Sequence, residues 1–231
     1  MKRFWKTTRV ISTENGYAVE LDGRPVKLPS GEPLAVPFGP LAEAIAEEWG
    51  SAKPDFTPDD LPLTRLASTA QERVTTHRAS IIGQLAAYGM NDLLCYRTEA
   101  PEKLAALQRE AWDPWLRWAN ETHGLCLLTT AGIIPINQLP WTLDRLTEQL
   151  SRYSDYTLAA LGVIVPALGS LVLGLALAEG VLLPQAACDT ALLDEIWQEA
   201  QWGADGEATA RRGGIIGDVT LSAKFMTLCA A

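Results

Sequence analysis

Residues 9–25 read RVISTENGYAVELDGRP, and this stretch decides how the chain begins to fold. Apolar and polar residues alternate before and after Asn15-Gly16, and a second Asx-Gly pair follows at Asp22-Gly23. An Asx-Gly pair between alternating runs is a strong signal for a β-hairpin, because a tight turn needs residues that tolerate positive φ. The sequence therefore predicts a small antiparallel meander. Pro25 indicates that its strand lies at a sheet edge or starts just after it.

The pattern becomes helical further along the chain. A short helix is predicted from Pro40 to a stop at Gly50, and the proline-rich stretch 53–62 is the best linker candidate. The predicted fold class is α+β, with a small antiparallel β-rich N-terminal domain at 1–60 and a larger all-α domain at 61–231. Residues 125–130 alternate weakly and predict a lone strand. A further helix is predicted at 64–88, with a continuation over 91–97, and another helix is predicted to start at Pro101. The remaining predicted helices cover 143–150, 158–178, 184–202 and 208–228.

Composition excludes several classes of function. The chain has 231 residues, a hydrophobic content of 48% and a net charge of −9. No basic cluster exceeds a pair, so the acidic surface would repel a nucleic acid. The four cysteines are widely spaced and the two histidines lack ligand spacing, which predicts reduced thiols in a cytoplasmic protein and no metal site. No phosphate-binding motif occurs, so no cofactor is expected.

Residues 158–178 contain no charged side chain and are numerous enough to span a bilayer. However, Pro166 and several glycines interrupt the stretch, and no basic cluster flanks it. We interpret it as two buried helices that break between Pro166 and Gly169. A membrane-associated protein anchored through 158–178 is the alternative.

The C-terminal third contains the stretch LLDEIWQEAQWG at residues 192–203. At 100° per residue, its apolar side chains gather on one side of a helix and its carboxylates on the other. Trp202 departs from this pattern, because it points in the direction of Glu195 and Gln198. This indole either folds back onto another element or forms part of a protein interface.

No catalytic residue is predicted. Asp194 and Glu195 are adjacent carboxylates, but their directions on a helix diverge by about 100°, so they do not face one substrate. An acid-base hydrolase built on them would require a deep cleft with converging carboxylates.

Tryptophans supply the other candidate contacts. Trp115 and Trp118 follow the apolar stripe of the helix that starts at Pro101, together with Leu104, Leu107 and Ala111, and are predicted in the core. Trp112 diverges from this stripe, so it is a candidate for an inter-domain or partner contact. Trp49 ends the short helix beside the predicted linker and is expected between the two domains.

Ordered motifs along nearly the whole chain resemble one known family. They are Phe4-Trp5-Lys6, Asp22-Gly23-Arg24-Pro25, Glu48-Trp49, Leu63-Thr64-Arg65-Leu66, Asp92-Leu93-Leu94-Cys95-Tyr96-Arg97, Trp112-Asp113-Pro114, the run from Gly169 to Ala176, and Asp194-Glu195 with Trp197-Gln198 and Trp202-Gly203. Their joint order resembles the ATP12 family, the assembly chaperones of the F1 sector of ATP synthase.

The resemblance implies a non-enzymatic chaperone that binds the free F1 α subunit until it joins the β subunit. It implies a functional role for Glu195, so we expect partner contacts at Glu195, Asp194, Gln198 and Trp202. We expect a monomer in the bacterial cytoplasm, with the mitochondrial matrix as the eukaryotic equivalent, although no transit peptide is recognised. The resemblance also implies that 169–176 belongs to the helical domain and not to a membrane.

The C-terminus departs from the family pattern. Gly213, Gly214 and Gly217 lie where family members tend to carry an uninterrupted helix. Each glycine costs a helix about 1 kcal/mol relative to alanine. We therefore expect the last helix to start late, near Asp218, or to be kinked.

Overall fold

The computed structural model describes residues 1–132, 135–203 and 205–230. They form two compact units. Unit 1 comprises residues 1–78, 154–160 and the residues from Lys224 onward, and unit 2 comprises residues 79–153 and 161–223. A small antiparallel sheet at the N-terminus precedes a mainly helical region, so the predicted α+β class is confirmed. The division at residue 60 stays a prediction.

The N-terminal sheet is the predicted meander. Strand β1 (Thr8–Thr13) pairs antiparallel with β2 (Gly16–Leu21), and β3 (Arg24–Pro25) and β4 (Ala35–Val36) both pair antiparallel with β2. Asp22 and Gly23 have φ angles of 50° and 82°, which explains the Asx-Gly pair in this turn. Gly16 has a φ of 117°, and a Cβ there would lie 2.4 Å from the Val36 carbonyl oxygen. Only glycine fits this position.

Helix α1 (Gly39–Ser51) packs against β1 and β2, and its buried residues include Leu41, Ile45 and Trp49. Three aromatic rings close this core: Trp5 lies 5.0 Å from Trp49 and 5.5 Å from Phe56 between ring centroids. The predicted linker, 53–62, includes the 3₁₀ turn Pro58–Asp60 and contributes buried Phe56 and Leu61. This stretch is therefore part of the core of unit 1.

The next helical stretch has three parts. Helix α2 (Pro62–Ser68) continues into a π-helical segment (Thr69–Val74) and then into α3 (Thr75–Met90), which is kinked at His77. The predicted helical continuation over 91–97 is wrong. Instead, a 3₁₀ turn (Leu93–Cys95) leads into the short strand β5 (Tyr96–Arg97).

The predicted lone strand at 125–130 also needs correction. Strand β6 covers only Thr130–Ala131 and pairs in parallel with β5. Residues before it cannot extend the strand, because the Gln138 side chain occupies both the N–H and the carbonyl of Leu128, at 2.8 and 3.0 Å. A side-chain partner of this kind leaves no trace in the apolar pattern.

Helix α4 (Glu102–His123) continues through Pro114, and its buried face differs from the predicted one. Trp112 is fully buried, whereas Leu107 is exposed and Trp115 and Trp118 are only partly buried. Trp112 is buried because its Nε1 has a polar partner inside the fold, the Thr190 carbonyl, to which it donates a hydrogen bond at 2.8 Å. Periodicity of apolar residues does not reveal such a bond.

Helix α5 (Thr142–Ser151) precedes the uncharged stretch, which forms α6 (Asp155–Leu168) and α7 (Leu171–Ala178). The two helices separate at Gly169, which has a φ of 66°, so the predicted break is confirmed. Across the described residues, no helix has both the length and the apolar character needed to cross a bilayer.

Three helices complete the chain: α8 (Pro184–Ala191), α9 (Leu193–Trp202) and α10 (Gly206–Leu228). The expectation of a late start near Asp218 is wrong, because α10 already begins at Gly206 and includes all three glycines. Two arginines of its first half, Arg211 and Arg212, bond to carboxylates of α9. These bonds favour helix in this segment despite the low propensity of glycine.

Candidate functional site

Helix α9 holds the predicted partner-binding residues, and neither of its two sides is fully buried. Each of its ten residues keeps a partly or fully exposed side chain. On the apolar side, Leu193 and Trp197 are half-buried, whereas Ile196 and Ala200 are exposed, and Ile196 has 41% of its surface accessible. Glu195 and Glu199 of the polar side contact α10. Ile196 and Ala200 are therefore accessible at the surface of unit 2.

Asp194 fixes the start of α9 on α4. Its Oδ1 accepts a hydrogen bond from Gln108 Nε2 at 2.8 Å, and the Gln108 side chain is buried. Gln108 in turn accepts from the Thr98 N–H at 2.8 Å, and its carbonyl accepts from Arg97 at 2.9 Å. The Arg97 guanidinium lies 5.1 Å from the Trp112 ring centre. Asp194 thus belongs to a connected network that positions the helix.

Glu195 and Glu199 fix the rest of α9 against α10. Glu195 forms an ion pair with Arg211, and Glu199 forms one with Arg212. The second pair is the more buried, with side chains 26% and 13% exposed, whereas those of Glu195 and Arg211 are 38% and 53% exposed. Charged groups gain more from pairing where water is excluded. Glu199 therefore holds the helix more firmly, and Glu195 stays accessible.

Trp202 ends α9 with 76% of its surface exposed. Its ring lies edge-on to Trp197, with 6.1 Å between ring centres, and the chain leaves the helix at Gly203, where φ is 95°. Gln198, one turn before Trp202, is exposed as well. The indole does not fold back into a core, and Gln198, Ile196 and Trp202 are accessible on the same short helix.

The two other candidate tryptophans lie inside the cores of their own units. Trp49 is 8% exposed, packs between Trp5 and Phe56, and donates from Nε1 to Thr64 Oγ1 at 3.0 Å. Trp112 has no exposed surface and bonds to Thr190. We therefore build the candidate surface on α9 alone.

The carboxylates of α9 do not form a catalytic pair, because Asp194 bonds to Gln108 while Glu195 bonds to Arg211. Among the described residues, no cluster of His, Cys, Asp and Glu could hold a metal ion. The surface around α9 thus consists of a large exposed aromatic ring, apolar side chains and carboxylates with assigned partners.

Sequence reasoning missed Arg211 and Arg212. In the sequence they are only a basic pair in an acidic chain. The signal that could have found them is the matching spacing of two carboxylates on α9, Glu195 and Glu199, which are one turn apart. Two adjacent arginines on the following helix can reach such a pair.

An exposed indole on a helix whose carboxylates already have partners within the fold is typical of proteins that act by binding other proteins. Comparisons with known proteins define the family. The model of the ATP12 chaperone protein family matches residues 2–120. The chain belongs to the ATP12 family of non-enzymatic chaperones that act in ATP synthase assembly.

Individual relatives agree with this family assignment. The crystal structure of Atp12 from Paracoccus denitrificans superposes with a TM-score of 0.93 at 37% identity, covering 98% of this chain and 97% of that one. The Atu1473 protein from Agrobacterium tumefaciens gives a TM-score of 0.91 at 33% identity, covering 97% and 84%. The mitochondrial atp12 protein of Schizosaccharomyces pombe is 29% identical over an alignment of 215 residues, and the match covers 88% of this chain and 74% of the yeast protein.

Proposed function

We propose that this chain binds the free α subunit of the F1 sector of ATP synthase and shields its assembly surface until it joins the β subunit. Membership of the ATP12 family supports an assembly partner of this kind. The observation that carries the proposal is the 76% exposure of Trp202 on a helix with Ile196 and Gln198 also exposed. An exposed indole of this size is costly for a free protein unless a partner covers it.

The α9 surface is well fixed before a partner arrives. Asp194 bonds to buried Gln108, and Glu199 forms a largely buried pair with Arg212. A surface that is already ordered loses little conformational entropy on binding, so more of the contact energy appears as affinity. In this arrangement Trp202 and Ile196 cover apolar surface of the α subunit.

Glu195 supplies the polar part of the contact. Its carboxylate is 38% exposed and is paired with Arg211, which is still more exposed. An accessible pair of this kind contributes little to folding, and either member can exchange its partner for a group on the client. We infer that Glu195 accepts hydrogen bonds from the α subunit when the two proteins meet.

Glu195→Lys is the direct test. The lysine would face Arg211 and repel it, and it would offer the client a cation where the carboxylate was. We expect capture of purified F1 α subunit in a pull-down to fall at least about tenfold, while the thermal unfolding midpoint stays nearly unchanged. Glu121→Lys makes the same charge change at an exposed position of α4 and should leave capture intact.

Trp202→Ala provides a second, uncharged test of the same surface. It should weaken capture without changing the unfolding midpoint, because the indole has few contacts in the free protein. Unfolding of the Glu195→Lys variant would show that Glu195 is structural. Undiminished capture by both variants would remove α9 from the contact surface.

The same role requires that the protein work where α subunits are made, which for a bacterial chain is the cytoplasm. We infer that the free protein is a monomer there and needs no cofactor. Sedimentation of the protein alone and with the α subunit would test the oligomeric state, and a stable dimer without the client would contradict it.

A further inference from the structure

Unit 1 contains an open groove with a volume of about 460 Å³. One wall is the turn that follows β3, at Lys27 to Pro29, and the other wall is formed by residues 65–73 of α2 and the π-helical segment. This volume lies within the range of about 300–1,000 Å³ that is usual for ligand sites. We call this open groove the basic groove. It shares no residue with the α9 surface.

The floor of the basic groove is apolar and fixed. Leu28, Trp49 and Leu61 line it, and each has less than a tenth of its surface exposed. Trp49 Nε1 donates to Thr64 Oγ1 at 3.0 Å, and the Thr64 hydroxyl donates to Glu48 Oε2 at 2.7 Å. This chain of bonds holds the indole in place, so an apolar ligand group would meet a rigid surface.

The rim of the basic groove is cationic. Three lining side chains are basic, namely Lys27, Arg65 and Arg73, and all three are exposed. Arg65 is paired with Asp59. Lys27 and Arg73 form no ion pair with any residue of 1–132, 135–203 or 205–230. The carboxylate of Glu72 is already bonded to the Ser30 N–H at 2.9 Å. In a chain with a net charge of −9, the two cations without an ion pair, Lys27 and Arg73, favour an anionic ligand.

The second wall has an uncommon backbone. Residues Thr69–Val74 form a π-helical turn, and such turns are rare and frequently occur at functional sites. Within this turn Gln71 is held by the Ala35 carbonyl and the Tyr156 hydroxyl, at 2.7 and 2.8 Å. Glu72 and Arg73 line the groove. The turn is thus tied to the sheet through Gln71 while its basic side chain stays free.

We propose that the basic groove binds an extended peptide segment that carries carboxylates on both sides of one large apolar side chain. The apolar side chain covers the floor at Leu28, Trp49 and Leu61. The flanking carboxylates reach Lys27 on one wall and Arg73 on the other. An inorganic anion would leave the apolar floor uncovered, and a neutral hydrocarbon would leave both cations without a partner. The groove is open to solvent, which suits a segment of a longer chain.

Fluorescence anisotropy with three labelled peptides tests the proposal on the full chain. The probes are Glu-Asp-Phe-Glu-Asp, the same peptide with serine in place of phenylalanine, and Lys-Arg-Phe-Lys-Arg. We expect the acidic phenylalanine peptide to bind at least about tenfold more tightly than either of the others. Binding should weaken as salt rises from about 50 to about 500 mM, because the rim charges are exposed.

Variants then locate the peptide. The double substitution Lys27→Glu with Arg73→Glu should weaken binding of the acidic phenylalanine peptide at least about tenfold. The control is Arg24→Glu, which reverses one charge at an exposed position of β3 outside the groove and should have little effect. Glu195→Lys should leave peptide binding unchanged, because Glu195 does not line the basic groove. The peptide proposal and the α-subunit proposal can therefore fail separately.

Three results would overturn the proposal. Equal binding of the serine peptide would show attraction by charge alone, without use of the floor. An equal loss with Arg24→Glu would show a diffuse electrostatic effect. No binding of the acidic phenylalanine peptide at about 1 mM would show that the groove does not recognise this chemistry.

Discussion

Helices α7 and α9 belong to the same unit and show opposite uses of apolar side chains. Seven consecutive residues of α7, from Leu171 to Leu177, are buried. Every residue of α9 keeps part of its surface exposed, including Ile196 and Trp202. Both helices contain motifs of the ATP12 family. One motif therefore maintains the fold, and the other presents a surface.

The way in which each helix is held explains the difference. The N–H groups at the start of α7 are bonded to Asp92 and Ser170, at 3.0 and 3.1 Å, and the helix is packed on all sides. Helix α9 has no side-chain cap at Leu192, and polar bonds from Asp194, Glu195 and Glu199 fix it. This polar attachment leaves Ile196, Ala200 and Trp202 exposed.

The largest expected effect comes from making the same substitution at two tryptophans. Trp112→Ala removes a fully buried indole with its bond to Thr190, so we expect a loss of about 3–5 kcal/mol in the free energy of unfolding. Trp202→Ala should cost less than about 0.5 kcal/mol, because that indole is exposed. Urea unfolding followed by circular dichroism measures both. Similar losses for the two variants would show that Trp202 packs against the fold, and the contrast between core and surface would disappear.

These two tryptophans also show what the sequence could predict. Hairpins, helix order and the break at Gly169 follow from turn residues and apolar periodicity, which are local signals. The burial of Trp112 and the exposure of Ile196 do not follow from local signals. Trp112 depends on its hydrogen bond to Thr190, and the placement of Ile196 depends on the pairing of α9 with Arg211 and Arg212, which are all distant in sequence. The apolar side that periodicity predicts for α9 is half-buried at Leu193 and Trp197 and exposed at Ile196 and Ala200. The exposed Trp202 was detectable only as a departure from the pattern.

The second prediction concerns pH and the start of α7. Burial raises the pKa of Asp92 to about 6, although backbone N–H groups of Val172 and Leu94 favour its ionised form. The folded protein therefore holds a proton between about pH 4 and pH 6 that the unfolded chain has released. Stability from this group is fully present below about pH 4 and declines as pH rises to about 6, by up to about 3 kcal/mol.

Comparison with Asp92→Asn isolates this group, since asparagine does not titrate. The difference in unfolding free energy between the natural protein and the variant should shift in favour of the variant as pH rises from about 4 to about 7. Urea unfolding at several pH values measures it. A difference that is constant over this range would show that Asp92 titrates as in the unfolded chain. The ion pairs of α9 are identical in both proteins and cancel from the comparison.

The smallest expected effect uses glycines to compare a buried helix with an exposed one. A Cβ at Gly214 of α10 would meet no atom within 4 Å, whereas a Cβ at Gly174 of α7 would lie 2.8 Å from Val165 Cγ2. Gly214→Ala should therefore stabilise the protein by about 0.5–1 kcal/mol through helix propensity and a less disordered unfolded chain. Gly174→Ala gains the same propensity but has to displace packed side chains, so it should be neutral or destabilising. If Gly214→Ala were destabilising, the first half of α10 would not be the continuous helix on which the pairing of Arg211 and Arg212 with α9 depends. The sign of this small change thus tests the support of the α9 surface independently of any partner.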